Sequence, residues 1–168
     1  MAQYKNIDDF MSKLNGKVQR VVPQLVAETA TEFFKERFRV KQDPHGKPWQ
    51  PVKRPVRRGS LMVRSGKLMN TIRPSLVSAD RVRIRAGNAK VPYAQIHNEG
   101  GTINHPGGTA YIPGDKRFTW VSNKKAAGKT YPRTKAHKIP MPKRQFMGHS
   151  KLLNGRIIER IKGVMKDI

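Results

Sequence analysis

Between Ile7 and Arg39 the chain repeats one spacing that leaves it little conformational choice. Ile7, Phe10, Met11, Leu14, Val18, Val21, Val22, Leu25, Val26, Phe33, Phe34 and Phe38 return at steps of three and four. That period places them on one stripe of an α-helix, so a long amphipathic helix over 7–39 is expected, with its stripe in a core. Pro23 removes an internal hydrogen bond and either kinks this helix or opens a second one. Glu28, Glu32 and Glu36 fall four apart on the opposite face.

The segment that follows has the opposite character. DPHGKPWQPVKRPVRRG, residues 43–59, holds four prolines and two glycines and is expected to be a loop. Asp43-Pro44-His45-Gly46 is a turn signal, and Trp49 behind it is a large apolar anchor, with stacking on a base as its functional alternative. In LMVRSGKLMNTI, the Ser65-Gly66 break can cap a helical turn over Lys67–Thr71.

NTIRPSLVSADRVRIRAGN has the pattern of a β-hairpin. Val82, Ile84 and Ala86 alternate with Arg81, Arg83 and Arg85, the period of a half-buried strand, and Ser78-Ala79-Asp80 supplies the turn. Pro74 cannot donate to a ladder, which sets its strand at an edge. Alternate side chains on a strand project the same way, so three guanidiniums line one face. Such a row is either solvated surface or a contact for phosphates or partner carboxylates, since Arg favours bidentate anion recognition.

VPYAQIHNEGG, residues 91–101, is a break in composition: it carries no Lys or Arg in a chain that has 35. Tyr93 and Ile96 are expected to anchor a strand end, with Gly100-Gly101 turning the chain at positive φ. His97, Glu99 and His105 have no spacing typical of a metal site, and the five histidines are dispersed. Residues 102–138 are rich in Gly, Pro, Lys and Thr, and a loop of that length is usually functional or disordered. They are expected to be a flexible basic insertion or arm, extended near Arg117–Val121. IPMPKRQFMGHS follows as a rigid connector. A last helix is expected over Lys151–Lys166, capped by Ser150, with Leu152, Leu153, Ile157, Ile158, Ile161, Val164 and Met165 as its buried stripe.

The fold class expected is therefore α+β in a single domain over 1–168: a long N-terminal and a C-terminal helix packed on a small antiparallel sheet, with a long basic loop or arm. At 168 residues such a chain buries a core without staples. It has no Cys, which excludes disulfides, thiol catalysis and Cys-bound metals. No apolar run approaches the roughly 20 residues that cross a bilayer. MAQYKNIDDF has no signal-peptide core, so the product is expected in the cytoplasm where it is made.

The formal net charge is +24, which favours polyanions or acidic protein surfaces. Residues 41–90 carry 13 Lys/Arg against Asp43 and Asp80, and residues 102–138 carry 8 against Asp115. Most of the excess thus sits outside the long helices. With only 11 acidic residues, carboxylate catalysis is poorly supplied. No phosphate loop, Ser-His-Asp pattern or paired-carboxylate constellation occurs. No enzyme, cofactor, catalytic residue or metal site is expected.

The order of the punctuation resembles the phage virion morphogenesis family, the tail-completion or tail-terminator proteins of Mu-like and contractile-tailed phages. Four motifs carry the resemblance: D-x-x-G-x-P-W on Asp43, Gly46, Pro48 and Trp49; S/T-G-x-L on Ser65, Gly66 and Leu68; Y-A-x-x-H-x-x-G-G on Tyr93, Ala94, His97, Gly100 and Gly101; and P-x-R-x-F-x-G on Pro142, Arg144, Phe146 and Gly148. It covers the chain from about residue 30 onward. The stretch 102–138 is wider than the family pattern requires and inherits no role from it.

The resemblance implies a structural protein of the virion, in its tail or neck. It would complete or terminate the tail, join it to the head and assemble as a ring. Implied partners are further copies of itself, tail-tube or sheath protein, head–tail connector proteins and genomic DNA, with no membrane. Arg81, Arg83, Arg85, Lys116, Arg117, Lys124, Lys125, Lys129 and Arg133 are the interface or DNA-facing candidates. Trp49, Gly66, Tyr93, His97, Gly100, Gly101, Arg144 and Phe146 are the fold or interface motif. The alternative is a basic nucleic-acid-binding module using the same arginines and the 116–138 lysines. A metal-dependent nuclease centred on His97 ranks behind both.

Overall fold

In a computed structural model, which describes residues 7–52, 59–112, 119–120 and 131–166, the chain is α+β. It divides into two compact units, one of residues 1–99 and 143–168, the other of residues 100–142.

Helix α1 runs unbroken from Ile7 to Val40 with Pro23 inside it. One helix, rather than two, follows the apolar period. Its 34 residues span about 50 Å at the α-helical rise. Only the C-terminal half of its stripe is fully used: Phe33 and Phe38 are buried, whereas Ile7 is 74% and Met11 54% exposed.

After the loop come α2 (Lys67–Asn70) and the hairpin β1 (Arg73–Val77) with β2 (Val82–Arg85). Gly66 caps α2 in the left-handed region at φ 70°. The hairpin is antiparallel, pairing Val77 with Val82 and Arg73 with Arg85, and its register shifts between Pro74 and Leu76. Ser78 Oγ donates within the turn, toward Asp80 Oδ1 at 2.7 Å and the Arg81 carbonyl at 3.0 Å. The hairpin packs against α1, and Ile84 and Ala86 lie against the core while β1 is exposed along its length.

The segment expected to end a strand is instead α3, Ala94–Glu99. Ala94 is buried and Tyr93 exposed, a one-sided burial that a helical turn satisfies without a strand partner. Gly100 and Gly101 then take φ 77° and 144°, where a side chain is strained.

The C-terminal helix α4, Lys151–Lys166, begins at Ser150, whose hydroxyl accepts the Leu153 N–H at 3.3 Å. Its stripe is only partly covered. Leu153 is buried and Ile157 half-buried, but Leu152, Ile158 and Met165 are exposed. It packs on α1 rather than on the sheet, and its basic residues meet the acidic face of α1. Glu36 pairs with Arg156, and Glu32 with Arg160 at 3.1 Å.

In the other unit, β3 (Gly101–His105) pairs antiparallel with β6 (His137–Met141), and β4 (Tyr111–Ile112) with β5 (Thr119–Trp120). Ile139, Pro140 and Met141, expected in a connector, thus belong to a strand. His105 and His137 face each other in register and stack with ring centroids 4.9 Å apart. The single sheet expected is three separate two-stranded ladders among the described residues.

Candidate functional site

The four motifs, spread over a hundred residues, close on one place in the first unit, except for the Gly100-Gly101 end of the third. Asp43 starts it locally. Its Oδ1 accepts the N–H groups of His45 and Lys47, both at 2.9 Å, so the chain turns back and the Trp49 N–H reaches the Lys41 carbonyl at 2.9 Å. Trp49 then lies edge-on to Phe38 with centroids 5.5 Å apart, and Phe146 lies 5.0 Å from the same ring.

Polar contacts tie these apolar anchors together. The Trp49 indole N–H donates to the Gln145 carbonyl at 2.7 Å. Arg144 donates through Nε to the Gln50 carbonyl at 3.0 Å and through Nη2 to that of Pro51 at 3.4 Å. Asn98 Oδ1 accepts two backbone N–H groups, from Phe146 and Met147, each at 3.0 Å. The Arg144 N–H reaches the His97 carbonyl at 2.9 Å, and Ser150 Oγ donates to the Pro44 carbonyl. Thr71 links the α2 turn to the hairpin by donating to the Leu68 carbonyl at 2.6 Å and accepting the Gly87 N–H at 2.8 Å.

Beside this node lies a cavity of about 300 Å³. Tyr93, His97, Arg144 and Gly66 line it, together with Arg64 and Lys67 and an apolar wall that includes Leu61 and Met62. The His97 ring packs edge-on to Tyr93 with centroids 5.6 Å apart, and its Nδ1 is buried with no hydrogen-bond partner. Burial holds the imidazole below its ordinary pKa, and the positive charge of Arg144 pushes the same way. Arg144, only 7% exposed, has its own pKa lowered by burial and no carboxylate partner among the described residues.

Trp49, Gly66, Tyr93, His97, Arg144 and Phe146 are therefore at the node or its cavity, while Gly100 and Gly101 follow α3 in the other unit. Arg81, Arg83 and Arg85 are exposed on the hairpin, away from the cavity lining, and Arg73 joins them by its register opposite Arg85. Arg133 is exposed in the second unit and donates to the Gly108 carbonyl at 2.8 Å. Lys116, Arg117, Lys124, Lys125 and Lys129 lie outside the described residues. Sequence reasoning gave no role to Asn98, Arg64, Lys67 or Gln145. Asn98 was legible only as a polar residue next to His97, and Arg64 and Lys67 only as two of many cations.

Among the described residues no group of three His, Asp or Glu side chains is placed to hold a metal ion, and no helix is long and apolar enough to cross a membrane. No curated protein and no solved structure matches the chain. One family model does match, over residues 3–166, and its description is the phage virion morphogenesis family.

Proposed function

The chain belongs to the phage virion morphogenesis family, and from that premise we propose that it completes or terminates the tail and helps join tail to head by assembling as a ring. Membership makes it a structural phage protein associated with the virion. The finer reading is carried by the state of the hairpin. Strand β1 is exposed throughout, Leu76 and Val77 are each 41% exposed, and the two-stranded ladder has no further strand on either edge among the described residues. An open edge with apolar side chains is a contact that a neighbouring subunit would bury, and closed symmetry satisfies every copy alike. The partners in this reading are further copies, tube or sheath protein and connector proteins, at the tail end or the neck. Assembly requires no reaction, cofactor or metal.

A second reading, a basic nucleic-acid-binding module, is favoured by one observation. Arg73, Arg81, Arg83 and Arg85 crowd one exposed hairpin, and none has an ion-pair partner among the described residues. In a ring this face would meet acidic neighbours or DNA in the lumen.

Light scattering of nuclease-treated protein in high salt, repeated with the tail-tube protein of the same genome, tests both. A discrete ring, alone or only with tubes, supports termination. A monomer indifferent to tubes that binds DNA with a steep salt dependence supports the module instead.

A further inference from the structure

The cavity beside the motif node is cationic and is lined by no acid among the described residues. Arg144 is part of its lining. Two carbonyl oxygens, of Gln50 and Pro51, satisfy hydrogen bonds of the guanidinium but leave its charge uncompensated. A charge 7% exposed and unpaired is costly, because burial removes its hydration and neutral acceptors replace it only in part. Arg64 and Lys67 stand exposed around the same space. Neither makes a side-chain hydrogen bond among the described residues.

A second deficit lies in a residue of the same lining. The His97 Nδ1 has no partner although it is shielded from solvent. Buried polar atoms are satisfied in the great majority of cases, so one that is not needs a reason. Its neighbours Tyr93 and Arg144 do not supply one: the ring contact with Tyr93 is edge-on, and Arg144 donates through Nε and Nη2 to the Gln50 and Pro51 carbonyls. One kind of group answers the first deficit: an oxyanion in the cavity neutralises the Arg144 guanidinium, with the His97 ring in the same lining as a reporter of its arrival.

We propose that this cavity receives a carboxylate side chain from an acidic segment of a partner protein. The wall of Leu61, Met62, Leu68 and Val52 suits the methylene stem of a Glu and the backbone beside it. Its volume of about 300 Å³ admits a Glu side chain together with the backbone beside it. A duplex carries its phosphates on a convex backbone. That backbone can reach the exposed arginines of the hairpin but not a guanidinium that is only 7% exposed. The net charge of +24 draws acidic segments toward the chain, and the cavity then selects one carboxylate by shape. The site would bind this segment whether or not the chain closes into a ring.

The test is NMR of the full chain with 15N-labelled His and Arg side chains. It is titrated in separate arms with acetyl-Ala-Glu-Ala-amide, its Gln counterpart, inorganic phosphate and a short DNA duplex. The Glu peptide is expected to shift the His97 ring and Arg144 Nε signals saturably, and the Gln peptide to bind at least about tenfold more weakly. Arg64→Gln and Lys67→Gln, both on exposed residues, should each weaken the Glu peptide about two- to fivefold with the spectrum otherwise unchanged. No saturable shift, or equal shifts from the Glu and Gln peptides, would overturn the proposal. Tighter binding of inorganic phosphate would make the cavity a free-anion site. A His97 shift from the duplex as large as that from the peptide would make it a nucleic-acid site. Either result rejects a protein carboxylate, and neither bears on the light-scattering outcome.

Discussion

The indole N–H of Trp49 and the carbonyl of Gln145 are 2.7 Å apart, although 96 residues separate them in the chain. The bond fastens the loop after α1 to the segment before α4, and Trp49 and Phe146, the neighbour of Gln145, both pack on Phe38. Replacing Trp49 by Phe keeps the apolar contact but orphans the Gln145 carbonyl, which should cost about 1–3 kcal/mol. Trp49→Ala also opens a cavity against Phe38 and should cost about 3–5 kcal/mol. Urea denaturation followed by circular dichroism separates the two. Equal losses would show that the hydrogen bond contributes nothing beyond packing.

Asn98 holds the Phe146 and Met147 amides with one oxygen. Asn98→Ala leaves both donors unpaired and should destabilise by about 2–4 kcal/mol, allowing about 1–2 for each. Asn98→Asp keeps the acceptor and should cost clearly less. Hydrogen exchange at residues 146 and 147 should speed up in the Ala variant and change little in the Asp variant. Uniform acceleration across the whole chain in both would remove Asn98 as a local clamp.

The Glu36–Arg156 pair joins α1 to α4. Its hydrogen bond and charge, with Arg37 beside it, hold the Glu36 carboxyl below its ordinary pKa. A carboxylate lowered in this way stabilises the fold above its ordinary pKa, and that contribution is lost as pH falls through the folded value. Both side chains are partly exposed, so a double-mutant cycle of Glu36→Gln and Arg156→Gln should give a coupling of only about 0.5–1 kcal/mol, shrinking in high salt. A coupling that is zero at low salt would mean the pair is incidental to helix packing.

His97 gives a pH dependence of the same sense as Glu36, beginning at higher pH. Its folded pKa lies below the ordinary value near 6.5, first through burial and then through Arg144. The unfolded chain therefore takes up the proton first as pH falls. This group contributes nothing to the slope above that value. Stability falls as pH drops below it and levels off once the folded pKa is passed. The urea midpoint of the native chain should decline more than that of His97→Gln between about pH 7 and about pH 5. Parallel curves would show that His97 is not buried in solution.

Local signals settled much of this architecture. The three- and four-residue period of α1 survived Pro23, since the packed stripe around Phe33 and Phe38 outweighs one missing hydrogen bond. Ser150 and Gly66 marked helix starts at the chain positions where they occur. The alternation of Arg81, Arg83 and Arg85 with apolar neighbours gave the two faces of the hairpin. Each of these depends on neighbours a few residues away, so a single chain segment contains the whole signal.

What lies across the fold was not encoded that way. Periodicity says which residues share a face and is silent on what covers it. The exposed Ile7 and Met11 and the buried Phe38 therefore look alike in the sequence. Glu32 and Glu36 read as a solvated face until α4 brought Arg160 and Arg156 against them. Tyr93 and Ile96 read as a strand end because a six-residue helix is shorter than its own periodic signature. The sequence by itself determined the helices, the turns, the charge and the order of four motifs. Only the tertiary structure decided that those motifs meet, with Asn98 and Trp49 bonding across 48 and 96 residues and Arg144 set beside His97 with no carboxylate partner among the described residues. Such contacts form when distant segments pack, and no local spacing records them.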